Sequence, residues 1–366
     1  MSKEIISDKQ GISIIVMFIL GASTVMLMTL EVKQDLWLAV IFAIAMAVPL
    51  VLIWARMHYL FPGKDLFYIL EYCFGKFLGT GIFILYTWYF FHTGTLVVRN
   101  VTYFIHTVSL EQTPEIVIMA FFVSLCIYIT KNGLKTIGRW AELFVIIAIT
   151  FILISMLFLL PNININNIRP FLANGIKPVL SGAYYELSFP FAELVTFTMI
   201  FTAVNRRKSF YKIYLLGLLI GGLVIFAVSL TDILVLGANT ILHTYFSSYA
   251  AVSRMNIRNI IQRLEVVLAI VFTLGEFLKM SVYLLATCRS ITRIIKGFHY
   301  KLIVIPVALL MLNTAFILHE STMEFFEWSY EVWPFYVFPF HVAFPIIIFV
   351  VVEVKRHRLN KNTKFN

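Results

Sequence analysis

The chain has 366 residues, of which 60% are hydrophobic and 13% charged, with a mean hydropathy of +0.90 and a formal net charge of +10. A soluble domain carries about 25% charged residues, so this composition excludes one and predicts a polytopic helical membrane protein. The apolar runs are continuous and do not alternate over about ten residues, which excludes an outer-membrane barrel.

Ten segments are apolar for the ~20 residues that a crossing needs. They fall at about 11–31, 36–57, 77–106, 115–130, 140–160, 180–203, 212–236, 264–288, 301–318 and 333–353. Ile12 to Leu20 followed by Gly21-Ala22-Ser23 has the outline of a signal peptide. Glu4 and Asp8 offset Lys3 and Lys9, however, and apolar residues resume from Val25 to Leu30, so the segment reads as the first crossing. With the N-terminus inside, 21 of the 29 Lys and Arg lie on the inner side, six lie outside, and Arg99 and Lys279 sit within crossings. The bias of Lys and Arg toward the inner face therefore places both termini inside, and it accounts for the positive charge without nucleic acid.

Phe61-Pro62-Gly63-Lys64-Asp65 ends the second crossing, with Asp65 as a helix N-cap. Leu66, Phe67, Ile69, Leu70 and Cys73 then share one face up to Gly75, predicting a short amphipathic helix on the inner membrane surface. Pro161 to Pro178 is Asn-rich and turn-prone, and the outer loop 237–262 has enough apolar residues for one or two capping helices. Asp232, Glu265 and Glu31 fall near outer ends and are expected to be solvated. The tail Lys355–Asn366 is basic and is expected to be disordered, binding anionic lipid.

No P-loop, HExxH, GxSxG or dinucleotide-binding fingerprint is present. The histidines lack ligand spacing, and Cys73, Cys126 and Cys288 show neither paired nor metal-ligand spacing. The chain is thus expected to be no enzyme and to carry no cofactor or metal.

Ten crossings divide into two sets of five. Because five is odd, the second set starts from the opposite side, the arrangement of inverted repeats, here about 11–160 and 180–353 in a single membrane domain. Unusual residues recur at matching depth. Gly21-Ala22-Ser23-Thr24 lies about ten residues into the first crossing, and Ser188-Phe189-Pro190, followed by Glu193, about ten into the sixth. Helix packing alone can explain small residues in a membrane helix. Their coincidence with a proline and a carboxylate favours two broken helices around a binding site.

The chain resembles the B subunit of bacterial spore germinant receptors, the spore-germination permease-like family of the amino acid–polyamine–organocation transporter superfamily. The resemblance runs nearly the whole length. It rests on Gln10-Gly11-Ile12 leading to Gly21-Ala22-Ser23, and on Phe61-Pro62-Gly63-Lys64-Asp65-Leu66 with Gly75-Lys76. It continues through Arg99, Thr113-Pro114, Gly133, Gly138-Arg139-Trp140-Ala141-Glu142 and Ser188-Phe189-Pro190-Phe191-Ala192-Glu193. The resemblance implies an all-α, ten-helix, five-plus-five inverted-repeat (LeuT-like) transporter fold with broken helices 1 and 6. It further implies a complex with an A subunit and a lipoprotein C subunit in the spore inner membrane, in which the B subunit recognises a nutrient, often an amino acid. One departure stands out: Thr24-Val25-Met26 follows Gly-Ala-Ser where amino acid transporters place a further glycine and then a proline.

Candidate ligand-binding residues are therefore Gly21, Ala22, Ser23, Thr24, Tyr185, Ser188, Phe189, Pro190, Glu193 and Arg99. Glu193 can accept a ligand amine, carry a proton or pair with a buried cation, and a carboxylate at this depth needs a partner. Arg99 is one candidate partner; it either snorkels outward or pairs with a carboxylate or a ligand anion. Glu276 and Lys279 are three apart on one helical face; they can neutralise each other, or the Lys279 ammonium can stand where related folds hold a coupling cation. Tyr184, Tyr185 and Phe189, with Tyr86, Trp88, Tyr89, His92 and Thr95, are candidate walls. The sequence thus predicts a nutrient-sensing receptor subunit that signals to its partners, or alternatively a proton-coupled amino acid permease acting alone.

Overall fold

The computed structural model describes residues 5–26, 28, 32–202, 204, 207–253 and 265–362. Helix dominates, and no strand is formed among these residues beyond an isolated bridge between Ile6 and Val204. The helices are α1 (Asp8–Ser23), α2 (Leu36–Leu60), α3 (Leu66–Val108), α4 (Glu115–Asn132) and α5 (Leu134–Leu159). After two short 3-10 turns come α6 (Ile176–Glu186), α7 (Phe197–Ile200), α8 (Ser209–Leu236), α9 (Ala238–Ile241) and α10 (Ser247–Ser253). The chain closes with α11 (Glu265–Ile294), α12 (Tyr300–Leu318), α13 (Thr322–Glu331), α14 (Trp333–Phe338) and α15 (Phe344–Asn362).

Eight helical stretches among the described residues are long and apolar enough to cross a membrane. They match eight of the ten segments expected from hydropathy. The other two, 11–31 and 180–203, contain shorter pieces: α1 has 16 residues, and the second is divided into α6, two irregular turns and α7. The outward faces of the long helices carry Phe77, Phe121 and Leu157, each more than half exposed. Apolar side chains on such faces suit a hydrocarbon surround, and the protein is an integral membrane protein.

Local chemistry sets the ends of these elements. Ser7 and Gln10 form a reciprocal capping box at α1 (3.1 Å in each direction). Asp65 accepts from the Tyr68 N–H (3.2 Å) to start α3. Gly133, at φ 86°, separates α4 from α5 in a conformation that an L side chain resists.

The stretch Leu66–Phe74 is helical as expected, but its apolar face meets protein and not the membrane surface. Gly75 (φ 76°) folds it back against the rest of α3, and a Cβ on Gly79 would lie 2.7 Å from the Leu70 carbonyl oxygen. Phe67 packs on Phe83 at 4.8 Å, and the Lys355 ammonium caps the carbonyls of Tyr72 (2.7 Å) and Cys73 (3.0 Å). That cap also corrects the disordered tail: the backbone stays helical to Asn362. Asp232 is a second correction. It is buried, not solvated, because Ser247 and Ser248 at the start of α10 donate to its carboxylate at 3.3 and 2.5 Å. Glu265 is half-buried, and Glu31 lies outside the described residues. The loop after α8 does hold two short helices, α9 and α10.

The core is organised around α1, which is buried on every face from Ile14 to Ser23. Such a helix must be apolar all round, and Ile14 to Leu20 is. Its neighbours are α5, α8 and α11. Close approach relies on glycines opposite it: a Cβ on Gly217 would meet Ile15 at 2.5 Å, and one on Gly275 would lie 2.6 Å from the Gly21 Cα. Gly275→Ala is therefore expected to lower the melting temperature of the detergent-solubilised protein, by an overpacking cost of about 1–3 kcal/mol. Gly81→Ala, where a Cβ meets nothing within 4 Å, is the control; equal melting of the two variants would contradict the close approach.

Candidate functional site

The site begins where α1 stops. Gly21 leaves helical geometry (φ −33°, ψ −115°), and the Thr24 hydroxyl donates to the Gly21 carbonyl at 3.0 Å. The Ala22 N–H donates to Glu276 Oε1 at 2.7 Å. A side-chain carboxylate from α11 thus satisfies a backbone donor at the end of α1, far from water. Gly21 is needed here because a Cβ would overlap that carboxylate.

The facing segment is irregular for a reason visible in its sequence. Pro190 disfavours helical geometry in the residue before it, and Phe189 is extended (φ −151°, ψ 116°) between α6 and the 3-10 turn Ala192–Thr196. The Phe189–Pro190 peptide is cis. The turn carries Glu193 inward, where its Oε2 lies 2.5 Å from the Lys279 ammonium, both side chains being 1% exposed. The ammonium also sits over the rings of Phe189 (4.1 Å) and Phe18 (5.3 Å). Two carboxylates and one ammonium are therefore buried together, since Glu276 stands one turn before Lys279 on α11.

These three groups line a cavity of about 40 Å³, space for a few water molecules by that measure. Phe189 and Asn100 complete the polar end, and Trp328 and Trp333 wall the other. Trp328 belongs to α13, which closes the cavity from the side opposite the chain termini. The sequence analysis places no helix there. The missed signal is Ser321-x-x-Glu324 ahead of an aromatic run: the Ser321 hydroxyl accepts from the Glu324 N–H (3.2 Å), a helix start. Glu186 was missed as well; it is buried on α6 and accepts from the Met28 N–H at 3.1 Å.

The other candidates divide. Phe189 and Glu193 line the cavity; Gly21, Ala22, Ser23, Thr24, Tyr185, Ser188 and Pro190 do not, although all of these but Tyr185 are buried. Tyr185 is half-buried, and its carbonyl accepts from the Ser188 hydroxyl at 2.7 Å. Arg99 takes a carboxylate partner, but that partner is Glu115 and not Glu193. It pairs with Glu115 (2.6 Å), donates to the His319 carbonyl (2.5 Å) and lies over Tyr103 (4.2 Å). One residue on, Asn100 turns to the cavity, because each helical step rotates the side chain by about 100°. The same register puts Thr93, Leu96 and Val97 on the wall, while Trp88 is half exposed and the Thr95 hydroxyl bonds back to the Phe91 carbonyl.

Below the ion pair, toward the end that holds the termini, hydroxyls continue the polar track. Tyr283 stands one turn after Lys279 on the same face of α11. Its hydroxyl lies 3.5 Å from that of Tyr89, which shares a 2.7 Å hydrogen bond with His341 Nε2.

Comparison with known proteins gives this geometry its family. The family described as "Spore germination protein" matches residues 5–323. This chain belongs to that family. Spore germination protein KB of Bacillus subtilis (strain 168) is 27% identical over 369 residues, covering 99% of this chain and 98% of that protein. Spore germination protein YndE of the same organism is 29% identical over 64% of each chain. Among solved structures, MhsT in complex with L-phenylalanine superposes with a TM-score of 0.61 at 12% identity, covering 94% of this chain and 98% of that one. A Na+-coupled sialic acid symporter in a substrate-bound outward-open state gives 0.64 at 13%, covering 94% and 78%. The nucleobase-cation-symport transporter Mhp1, closed on bromovinylhydantoin, gives 0.62 at 12%, covering 94% and 77%. These likenesses show the LeuT-like transporter fold. The chain is thus a member of the spore germination protein family with that fold.

The buried pair sets a stability prediction. Removing one member strands the other charge at about 3–5 kcal/mol, whereas replacing both is far cheaper. Lys279→Met is expected to lower the melting temperature sharply, and the double variant Lys279→Met with Glu193→Gln to recover most of the loss. A double variant no more stable than the single one would show that the two side chains are not coupled.

Proposed function

We propose that this chain is the nutrient-sensing membrane subunit of a spore germinant receptor, and that a small zwitterionic metabolite, an amino acid, binds at the Glu193–Lys279 pair. One observation carries the reading: a buried carboxylate and ammonium, already complementary to a zwitterion, stand at the polar end of a cavity walled by tryptophan. The ligand inserts into the pair. Its ammonium takes Glu193, its carboxylate takes Lys279, and its side chain meets Trp328 and Trp333. Each buried charge keeps a partner, so the exchange avoids stranding either. Glu276 already occupies the Ala22 N–H, which leaves Lys279 as the group for the ligand carboxylate.

The helix ends at Gly21 and around Phe189 support ten crossings in two inverted sets, 11–160 and 180–353, with the first and sixth discontinuous. The distribution of Lys and Arg supports termini on the inner side, in the spore inner membrane. Family membership supports A and C subunits as partners. Binding signals to them only if it favours one conformer over another, and splitting an internal ion pair is such a differential interaction. The alternative, a permease acting alone, draws on the likeness to transporters.

Screening the twenty proteinogenic L-amino acids by thermal shift on the detergent-solubilised protein tests the site. At least one is expected to raise the melting temperature, and Glu193→Gln is expected to abolish that rise and to impair the germination response about tenfold or more while still reaching the membrane. A normal response from Glu193→Gln would remove it from the site. Uptake of the stabilising amino acid by vesicles holding this chain alone would favour the permease.

A further inference from the structure

The groups below the ion pair are not needed to hold a ligand, yet they are aligned. α11 places Glu276, Lys279 and Tyr283 on one face, running from the cavity toward the end that holds the termini. α3 crosses it and offers Tyr89 one turn before the cavity-lining Thr93. His341 lies on the π-type turn Pro339–Ala343, between α14 and α15. Such widened turns interrupt helices mostly at functional positions. His341 is 1% exposed, and its Nδ1 has no hydrogen-bond partner among the described residues. A buried polar atom without a partner costs free energy, so its retention calls for a role.

We propose that Glu193, Tyr283, Tyr89 and His341 form a proton path, and that the protein moves protons from the cavity toward the inner face. The inference rests on reading the Glu193–Lys279 pair as the floor of the ligand site, and it adds proton coupling to that reading. A proton entering from the cavity forms an O–H bond on the Glu193 carboxylate. Glu193 then passes it to the Tyr283 oxygen as Tyr283 gives its own proton to Tyr89. Tyr89 gives its proton in turn to His341 Nε2. The carboxylate is regenerated, each tyrosine keeps one proton, and the imidazole becomes imidazolium. The 2.7 Å bond between Tyr89 and His341 is ready for that last transfer, while the 3.5 Å step between the two hydroxyls needs a small movement of the tyrosine side chains to shorten it, with rotation about the C–O bonds aiming the protons.

The charged and titratable groups around the path are few. Glu193 faces Lys279, which stands one turn from Glu276 and one turn from Tyr283 on α11. Tyr89 faces Tyr283, His341 and, at longer range, Tyr336. Release beyond His341 needs the inner half to open, since the ring is buried here.

Full-length protein in vesicles loaded with a pH-sensitive dye, with potassium and valinomycin clamping the voltage, tests the path. After an external acid pulse the lumen is expected to acidify faster than in protein-free vesicles. His341→Gln and Tyr89→Phe are each expected to slow that flux by about tenfold or more. Tyr86→Phe should leave it unchanged, because the Tyr86 hydroxyl donates to the Phe340 carbonyl (2.8 Å) and stands outside the path. Tyr89→Phe removes only a hydroxyl, so it serves if His341→Gln fails to fold. Wild-type flux no faster than empty vesicles, with and without the twenty L-amino acids, overturns the proposal, as does wild-type flux in Tyr89→Phe. Thermal shift by the same amino acids on the same preparations separates this failure from failure of the ligand site.

Discussion

The constraint on which the structure turns is the burial of Glu193 and Lys279 side by side in a hydrocarbon-embedded core. Neither charge is tolerable alone at that depth. The pair sits where the backbone leaves helical geometry, at Gly21 and at Phe189. Pro190 forces Phe189 out of helical geometry, so that Glu193 turns inward, and Gly21 lets α1 pass against Gly275 of the helix that carries Lys279. The same interruption releases a backbone N–H at Ala22, which Glu276 satisfies. Charge, loose backbone and glycine contact are three aspects of one arrangement, and changing any one disturbs the others.

Around this centre the two ends of the bundle are held differently. On the side away from the termini, Arg99 ties α3 to Glu115 and to the end of α12, and α13 lays Trp328 over the cavity. On the side of the termini, Arg293 meets Asp65 at 2.5 Å, Arg289 donates to the Ile200 carbonyl at 3.0 Å, and Arg56 pairs with Glu353 at 2.8 Å. These contacts fasten the ends of α7, α11 and α15 to α2 and the start of α3. A fold with a closed outer end and a tied inner end can report on what fills the cavity between them, whether the output is transport or a signal to a partner.

Much of this was legible in the sequence. Hydropathy located every long helix, because a crossing needs a continuous apolar run and little else resembles one. Pro190 and Gly21 marked the interruptions, because proline and glycine act on the backbone of their own segment. Pairing was not legible. Arg99 was a candidate partner for Glu193, and Lys279 was set first against Glu276; only the rotation of α3 sends Arg99 to Glu115 and Asn100 to the cavity. Asp232 looked solvated because its position near a helix end said nothing of Ser247 and Ser248 folding over it. The amphipathic stretch 66–75 has a real apolar face, but periodicity cannot say whether lipid or α15 covers it.

The sequence by itself determined a polytopic helical membrane protein, the positions where its helices fail, and the identity of its costly intramembrane charges. Those properties are local: they follow from runs of apolar side chains, from backbone stereochemistry and from the price of charge in hydrocarbon. Tertiary structure alone decided that Lys279 meets Glu193, that Glu276 meets Ala22, that α13 lids the cavity, and that Tyr283, Tyr89 and His341 continue below it. The contacts between these segments join residues from 86 apart (Glu193 to Lys279, 279 − 193) to 254 apart (Ala22 to Glu276). Such contacts depend on helix rotation and crossing, which a single sequence does not specify.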